Sequence, residues 1–251
     1  DGVWEECAKP GRKTTYDTDT MPIQIVRQAN GTFLVSQVVW GDCTVGDEDT
    51  VEEPSFITPS GGSNRYIYKM LFFRNRLCLL SGNDIVMSRA GGFFDFWPKS
   101  AIQSTVTDPI DISASSEYPT ILYDGIQVNS GLVLFSKNQQ FMLTTDSDIL
   151  SVDTAKVNVL SAYNFNYKTT PVSLGTTIAW LDNAGKYSRF FEIAKVLREG
   201  EPDIIEQSKI VGRLFDNDLN HMSISRENGV IFFSEKNTST LYGFKYFTAP
   251  E

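Results

Sequence analysis

The stretch Leu77-Cys78-Leu79-Leu80-Ser81-Gly82-Asn83-Asp84-Ile85-Val86-Met87-Ser88 decides the fold class. Two short apolar runs flank four turn-forming residues, which reads as an antiparallel hairpin. The same shape returns three times. Leu132–Phe135 is joined to Gln140–Thr144 through Ser136–Gln139, and Ile178–Leu181 to Ser188–Ile193 over Asp182–Gly185. Val230–Phe233 is joined to Leu241–Tyr246 over Ser234–Ser239. In each unit the first strand is apolar on both faces, as in a sandwiched interior strand. The second alternates more, as expected nearer a sheet edge. The unit starts, Leu77, Leu132, Ile178 and Val230, lie 55, 46 and 52 residues apart. That spacing surrounds the roughly 40–50 residues of propeller blades. A blade cannot bury both faces alone, so neighbours must pack around an axis. The predicted fold is therefore all-β, built of antiparallel blades of a β-propeller. It is divergent or incomplete, because neither the WD dipeptide nor the kelch glycine pair recurs. A β-sandwich is the alternative, although its turn signals come about every 8–12 residues.

Upstream of the blades, Ile23–Arg27 and Thr32–Trp40 flank Asn30-Gly31, a dipeptide that predicts a hairpin closed by a type I′ turn. An acidic loop follows, with Asp42, Asp47, Glu48, Asp49, Glu52 and Glu53. Its carboxylates could hold calcium, but the spacing fits no calcium loop, and it reads as a solvated connection. Ser60-Gly61-Gly62-Ser63 lacks the Lys-Ser/Thr of a phosphate loop and reads as a linker. The chain thus divides into residues 1–60, a hairpin and acidic-loop region packing on the propeller, and residues 61–251, the blades. Phe190–Leu197 is the best helical segment and reads equally well as a strand. Arg198–Glu206, with Gly200 and Pro202, reads as an exposed connection.

Composition narrows the function. The 251 residues are 41% hydrophobic and 12% aromatic, a globular balance. With 31 acidic against 22 basic residues, the net charge is −9. Such a surface repels phosphate backbones, so specific nucleic-acid binding is not expected; a wall past which DNA slides is compatible with it. No apolar run approaches the roughly 20 residues that span a bilayer, and no signal-peptide pattern opens the chain. The first residue is Asp1 and the last three are Ala249-Pro250-Glu251, which reads as an internal piece of a longer polypeptide. Cys7, Cys43 and Cys78 form no CxxC pair and His221 has no histidine partner, so neither a metal nor a cofactor is expected.

Catalytic candidates are sparse. A Ser-His-Asp triad would need His221 as base, yet no GxSxG elbow is present. Glycoside hydrolysis needs only two carboxylates, and Asp108 and Asp111 in Thr107-Asp108-Pro109-Ile110-Asp111 form the first pair to examine. The same residues also fit a turn opener and a strand partner. In Gly91-Gly92-Phe93-Phe94-Asp95-Phe96-Trp97-Pro98, four aromatics fall within five residues. This segment reads as a plug between blades, then as a protein interface, then as a sugar platform.

These motifs occur in a recognisable order. Leu71-Phe72-Phe73-Arg74-Asn75-Arg76-Leu77 leads to Val86-Met87-Ser88-Arg89, then to Phe93–Trp97 and Thr107–Asp111. Ser115-Ser116, Leu132–Ser136 and Gln140-Phe141 follow. Gly2-Val3-Trp4-Glu5, Thr20-Met21-Pro22, Val38-Val39-Trp40 and Gly46–Thr50 carry a less distinctive match before them. The series, over residues 1–145, resembles the tail tubular protein B, or nozzle protein, family of short-tailed podovirus phages. The resemblance implies a structural virion component of the phage tail, made in the host cytoplasm, and not an enzyme. It implies a hexameric tube through which the genome leaves, with DNA passing unbound. It further implies contacts with an upper tail tubular protein and tail fibres. No catalytic residue carries over. Arg76, Ser88, Arg89, Phe96, Trp97, Asp108, Pro109, Asp111, Phe135, Gln140 and Phe141 are expected to be scaffold. A host surface glycan is a further possible partner, bound lectin-like or weakly hydrolysed.

Overall fold

The computed structural model describes residues 3–57, 66–183, 185–195, 202–215, 219–236 and 238–246. The linker at 60–63 and the last three residues lie outside the described residues. The described chain is all-β apart from two short 3-10 turns, Thr18–Thr20 and Gln207–Val211. Strands β1 (Ile23–Arg27) and β2 (Phe33–Gln37) form a separate hairpin. The remaining strands make four antiparallel sheets in sequence order. The first holds β3 (Ile67–Phe73), β4 (Arg76–Ser81), β5 (Asp84–Met87) and β6 (Ile110–Ser113). The second holds β7 (Leu122–Val128), β8 (Gly131–Ser136), β9 (Gln140–Thr145) and β10 (Ala155–Ser161). The third holds β11 (Val172–Ser173), β12 (Ile178–Asp182), β13 (Arg189–Lys195) and β14 (Asp203–Glu206). The fourth holds β15 (Leu219–Ser225), β16 (Val230–Glu235) and β17 (Leu241–Lys245) among the described residues. The four sheets are blades set in a ring, resembling a four-bladed β-propeller.

Alternation along the second strand of each blade explains its continuous apolar pattern. On β4, Cys78 and Leu80 face blade two, while Leu77 and Leu79 face the N-terminal segment. On β8, Leu132 and Leu134 pack toward blade one, and Val133 and Phe135 toward blade three. Ile178 and Trp180 of β12 then meet blade two, and Ala179 and Leu181 meet blade four. The second strands of blades one to three are thus buried on both faces, whereas on β16 of blade four Ile231 and Phe233 are buried and Phe232 is 39% exposed. Each such leucine or isoleucine contributes roughly 1.5–3 kcal/mol relative to an exposed one. One residue of register slip would not expose an apolar face on these strands; the outer strands fix the register.

Three sequence expectations are corrected. In blades one to three the second strand of the hairpin is not an edge: β6, β10 and β14 cover β5, β9 and β13, and β5 and β9 are buried throughout. Among the described residues only the fourth blade leaves its hairpin's second strand, β17, at an edge. These outer strands include Asp203–Glu206, so part of the expected 198–206 connection is ordered sheet, while residues 198–201 lie outside the described residues. Nor is Asn30-Gly31 a type I′ turn. Only Gly31 takes positive φ (84°), and its N–H donates to the Gln28 carbonyl at 3.0 Å, closing a three-residue loop. Asn30 serves instead through its side chain, which accepts from Thr32 N–H at 3.0 Å. The double left-handed corner sits between β3 and β4, at Arg74 (φ 45°) and Asn75 (φ 61°).

Candidate functional site at the junction of the N-terminal segment and the first blade

The N-terminal segment covers the outer face of blade one. Tyr16, Trp40 and Phe56 pack with Phe96 and Trp97 over Leu77, Leu79 and Val86. Tyr16 stacks on Trp97 with centroids 5.5 Å apart, and Phe56 meets Phe96 edge-on at 5.2 Å. The aromatic segment is therefore a plug between this segment and blade one, and not a plug between blades. Phe93 lies against Phe72, while Phe94 remains 41% exposed beside Trp40.

Arg76 anchors the turn below that plug. Its guanidinium, 1% exposed, donates to the carbonyls of Ser88 (2.8 Å), Asp108 (2.6 Å), Val106 (2.8 Å) and Leu150 (3.3 Å). Burial pulls its pKa below the ordinary arginine value. Ser88 accepts the Leu77 N–H at 3.0 Å, carrying the ladder past the end of β5. Arg89 donates to Thr107 Oγ1 at 3.3 Å, and its own N–H to the Asp95 carbonyl. Farther off, Phe135 and Phe141 are buried at the two faces of blade two. Gln140, fully buried, donates to the Tyr163 carbonyl at 2.9 Å and accepts from Ser161 at 2.6 Å.

Asp108 and Asp111 come together with Pro109 along one groove of about 670 Å³. Asp108 does not open a turn; it closes one, accepting the Thr105 N–H on Oδ2 at 2.7 Å. Asp111 does not bond the next strand alone. Both its oxygens accept from Ser55, one from the N–H and one from the hydroxyl, each at 2.7 Å. That contact spans 56 residues of sequence. Both carboxylates thus hold backbone segments in place. His221 lies on β15, exposed and remote in the fold from this groove.

The acidic loop also has an internal organiser that sequence reading missed. The Arg12 guanidinium donates to the carbonyls of Val45 (3.3 Å), Asp47 (2.8 Å) and Val51, and lies 5.5 Å from the Trp97 ring. Lys9 pairs with Glu48 at 3.4 Å. Asp47 accepts from the Thr50 hydroxyl and N–H, which lowers its pKa. The carbonyls turn inward onto an arginine, so the loop closes around a side chain. Among the described residues no group of three metal-binding side chains comes together.

A second aromatic group lies on the blades. Tyr68 meets Tyr123 at 5.2 Å and Tyr123 stacks on Tyr167 at 4.8 Å. Burial raises the Tyr123 pKa, and the neighbouring phenols of Tyr68 and Tyr167 raise it further.

The whole chain, residues 1–251, matches the family model of the bacteriophage nozzle protein. This chain belongs to that family. Over 176 residues it is 31% identical to tail tubular protein gp12 of Escherichia phage T7, covering 70% of this chain and 21% of that protein. The chain therefore spans about a fifth of the length of the relative it matches. Among solved structures, the N-terminal domain of Nup159 aligns over 72% of this chain and 45% of that one. Its identity is 14% and its TM-score 0.40. As a nozzle-family member the chain is a structural component of the phage tail and virion.

Proposed function

We propose that the chain forms part of the wall of the tail conduit through which the phage genome leaves, and part of the platform on which other tail proteins assemble. The observation that carries this reading is the nozzle-family match along the entire chain. The net charge of −9 supports it, because an acidic wall does not retain DNA. The blades serve as rigid scaffold, with Arg76, Ser88, Arg89, Phe96, Trp97, Asp108, Pro109, Asp111, Phe135, Gln140 and Phe141 holding strands and turns instead of substrate. Residues 1–60 act as a unit seated on blade one, and residues 61–251 as the blade domain. The working assembly is a hexamer that contacts an upper tail tubular protein and fibres. Its role is mechanical and not enzymatic. Electron microscopy of assembled tails labelled within this chain tests the reading: label around the conduit in six copies supports it. Label away from the conduit, or a monomeric subunit in the tail, overturns it.

A second reading rests on Tyr68, Tyr123 and Tyr167, whose rings and neighbouring hydroxyls suit a sugar. Tyr68 and Tyr167 are 41% and 47% exposed. Binding of host polysaccharide that is lost in Tyr167→Ala supports this role, and silence of the parent protein on a host glycan array removes it.

A further inference from the structure

Two apolar surfaces of this chain are left uncovered, one projecting and one concave. The first is the β1–β2 hairpin. Its register puts Ile23, Ile25, Phe33 and Val35 on one face and Val26 and Leu34 on the other, and all six are 42–66% exposed. Met21 and Val38 at its base are buried in the core of the N-terminal segment, whereas no residue from 23 to 37 belongs to an apolar core. A two-stranded hairpin bare on both faces is marginal in water and gains stability from a partner. The second surface is a cavity of about 290 Å³ between blades three and four. Buried Phe215 and Phe233 line it together with Val211, Leu214 and Leu241, which are 46–64% exposed. Among the described residues no charged side chain lines it.

Charge selects the occupant. Residues 22–41 carry no carboxylate and one charge, Arg27, in a chain with 31 acidic residues. Copies of a chain with net charge −9 repel, so a contact between them is least costly where neither side buries a carboxylate. The hairpin and the cavity are two such surfaces. Neither covers the other within one chain, since the apolar side chains of both remain exposed in it.

We propose that the hairpin of one copy seats in the cavity between blades three and four of a second copy, with Phe33, the largest exposed apolar side chain of the hairpin, as its anchor. The two surfaces are different patches, so the contact is head-to-tail, and it repeats into a ring where the rotation between copies closes. The inference rests on the reading that several copies of this chain surround the conduit, and it names the contact that joins them.

Thiol cross-linking between two differently tagged copies tests it. One carries Thr32→Cys beside the anchor and the other Thr240→Cys beside the cavity, both with the exposed Cys7 replaced by serine. A short bis-maleimide is expected to join the mixed pair in preference to either form with itself. By sedimentation velocity the parent is expected to self-associate, and Phe33→Asp and Leu241→Asp each to associate roughly tenfold more weakly or worse. Both positions are exposed, and circular dichroism checks that the variants are folded. Absence of the mixed product overturns the proposal, as does preferential joining of two Thr32→Cys copies, which marks a hairpin-to-hairpin contact. Self-association that survives both aspartate substitutions removes this contact while leaving several copies around the conduit. If the substitutions instead release a different tail protein, the hairpin belongs to that partner and the proposal fails.

Discussion

Replacing Arg76 by methionine tests whether a buried cation can be held by backbone carbonyls alone. Three of its acceptors lie at 2.6–2.8 Å, those of Ser88, Val106 and Asp108. Removing the guanidinium leaves the Ser88 and Asp108 carbonyls buried and unpaired, at about 1–3 kcal/mol each, or roughly 2–6 kcal/mol together, with a smaller cost at the part-exposed Val106 carbonyl. Against this, methionine carries no charge, and the desolvation that pulls the Arg76 pKa down is relieved by several kcal/mol. The orphaned carbonyls outweigh that relief, because removing one side of a buried network strands the other. The expected net loss is about 3 kcal/mol, a factor of ~150 in the folded population. That corresponds to ~6–12 °C in Tm for a chain of this size. Arg76→Lys is expected to lose about 2 kcal/mol, since a compact ammonium does not span carbonyls on β5's end and on the 105–108 turn together. Urea unfolding measures both. Hydrogen exchange adds a local check: the Thr105 and Asp108 amides, bonded across that turn, should lose protection first. A methionine variant within about 0.5 kcal/mol of the parent, or more stable than the lysine variant, would refute the reasoning.

Glycine at 131 is required by packing: a Cβ there would collide with the Leu143 backbone carbonyl in β9. Gly131→Ala is expected to cost about 1–3 kcal/mol in urea unfolding; Gly125→Ala should cost less, because its clash is with the movable Leu71 side chain. Of the three cysteines, Cys7 is exposed and Cys43 and Cys78 are buried, with burial pushing the Cys78 thiol up to about 12. Under native conditions at pH 8 iodoacetamide should label one thiol quickly, and two rapid labels would contradict this packing. Burial raises the Asp124 pKa, opposed by Lys69 at 2.8 Å. The folded state therefore keeps this proton longer than the unfolded one, and stability from the group falls as pH rises from about 4. Relative to the parent, Asp124→Asn should gain stability between pH 4 and pH 7; a parallel pH profile for the two would exclude the effect.

What sequence reveals here is set by which faces a strand buries. The hairpins opening at Leu77, Leu132 and Ile178 stand out because each first strand is covered on both faces, the first by the N-terminal segment and blade two and the others by two blades, while in Val230–Phe233 one face stays part-exposed at Phe232. The outer strands escape notice for the opposite reason. β6 reads Ile-Asp-Ile-Ser with one face in solvent, and β14 reads Asp-Ile-Ile-Glu beside Pro202, so both resemble connections. β7 hides further, because Gly125 sits in its middle against the Leu71 side chain, a residue that ordinarily argues against a strand. The N-terminal junction is less legible still. Arg12 closes the acidic loop by donating to carbonyls 33–39 residues away, and Asp111 holds Ser55 across 56 residues. Every residue supplies a carbonyl, so the acceptor side of such a bond leaves no trace in residue type. The acidic residues of the loop suggested a cation, and the structure supplies one as a guanidinium from its own chain.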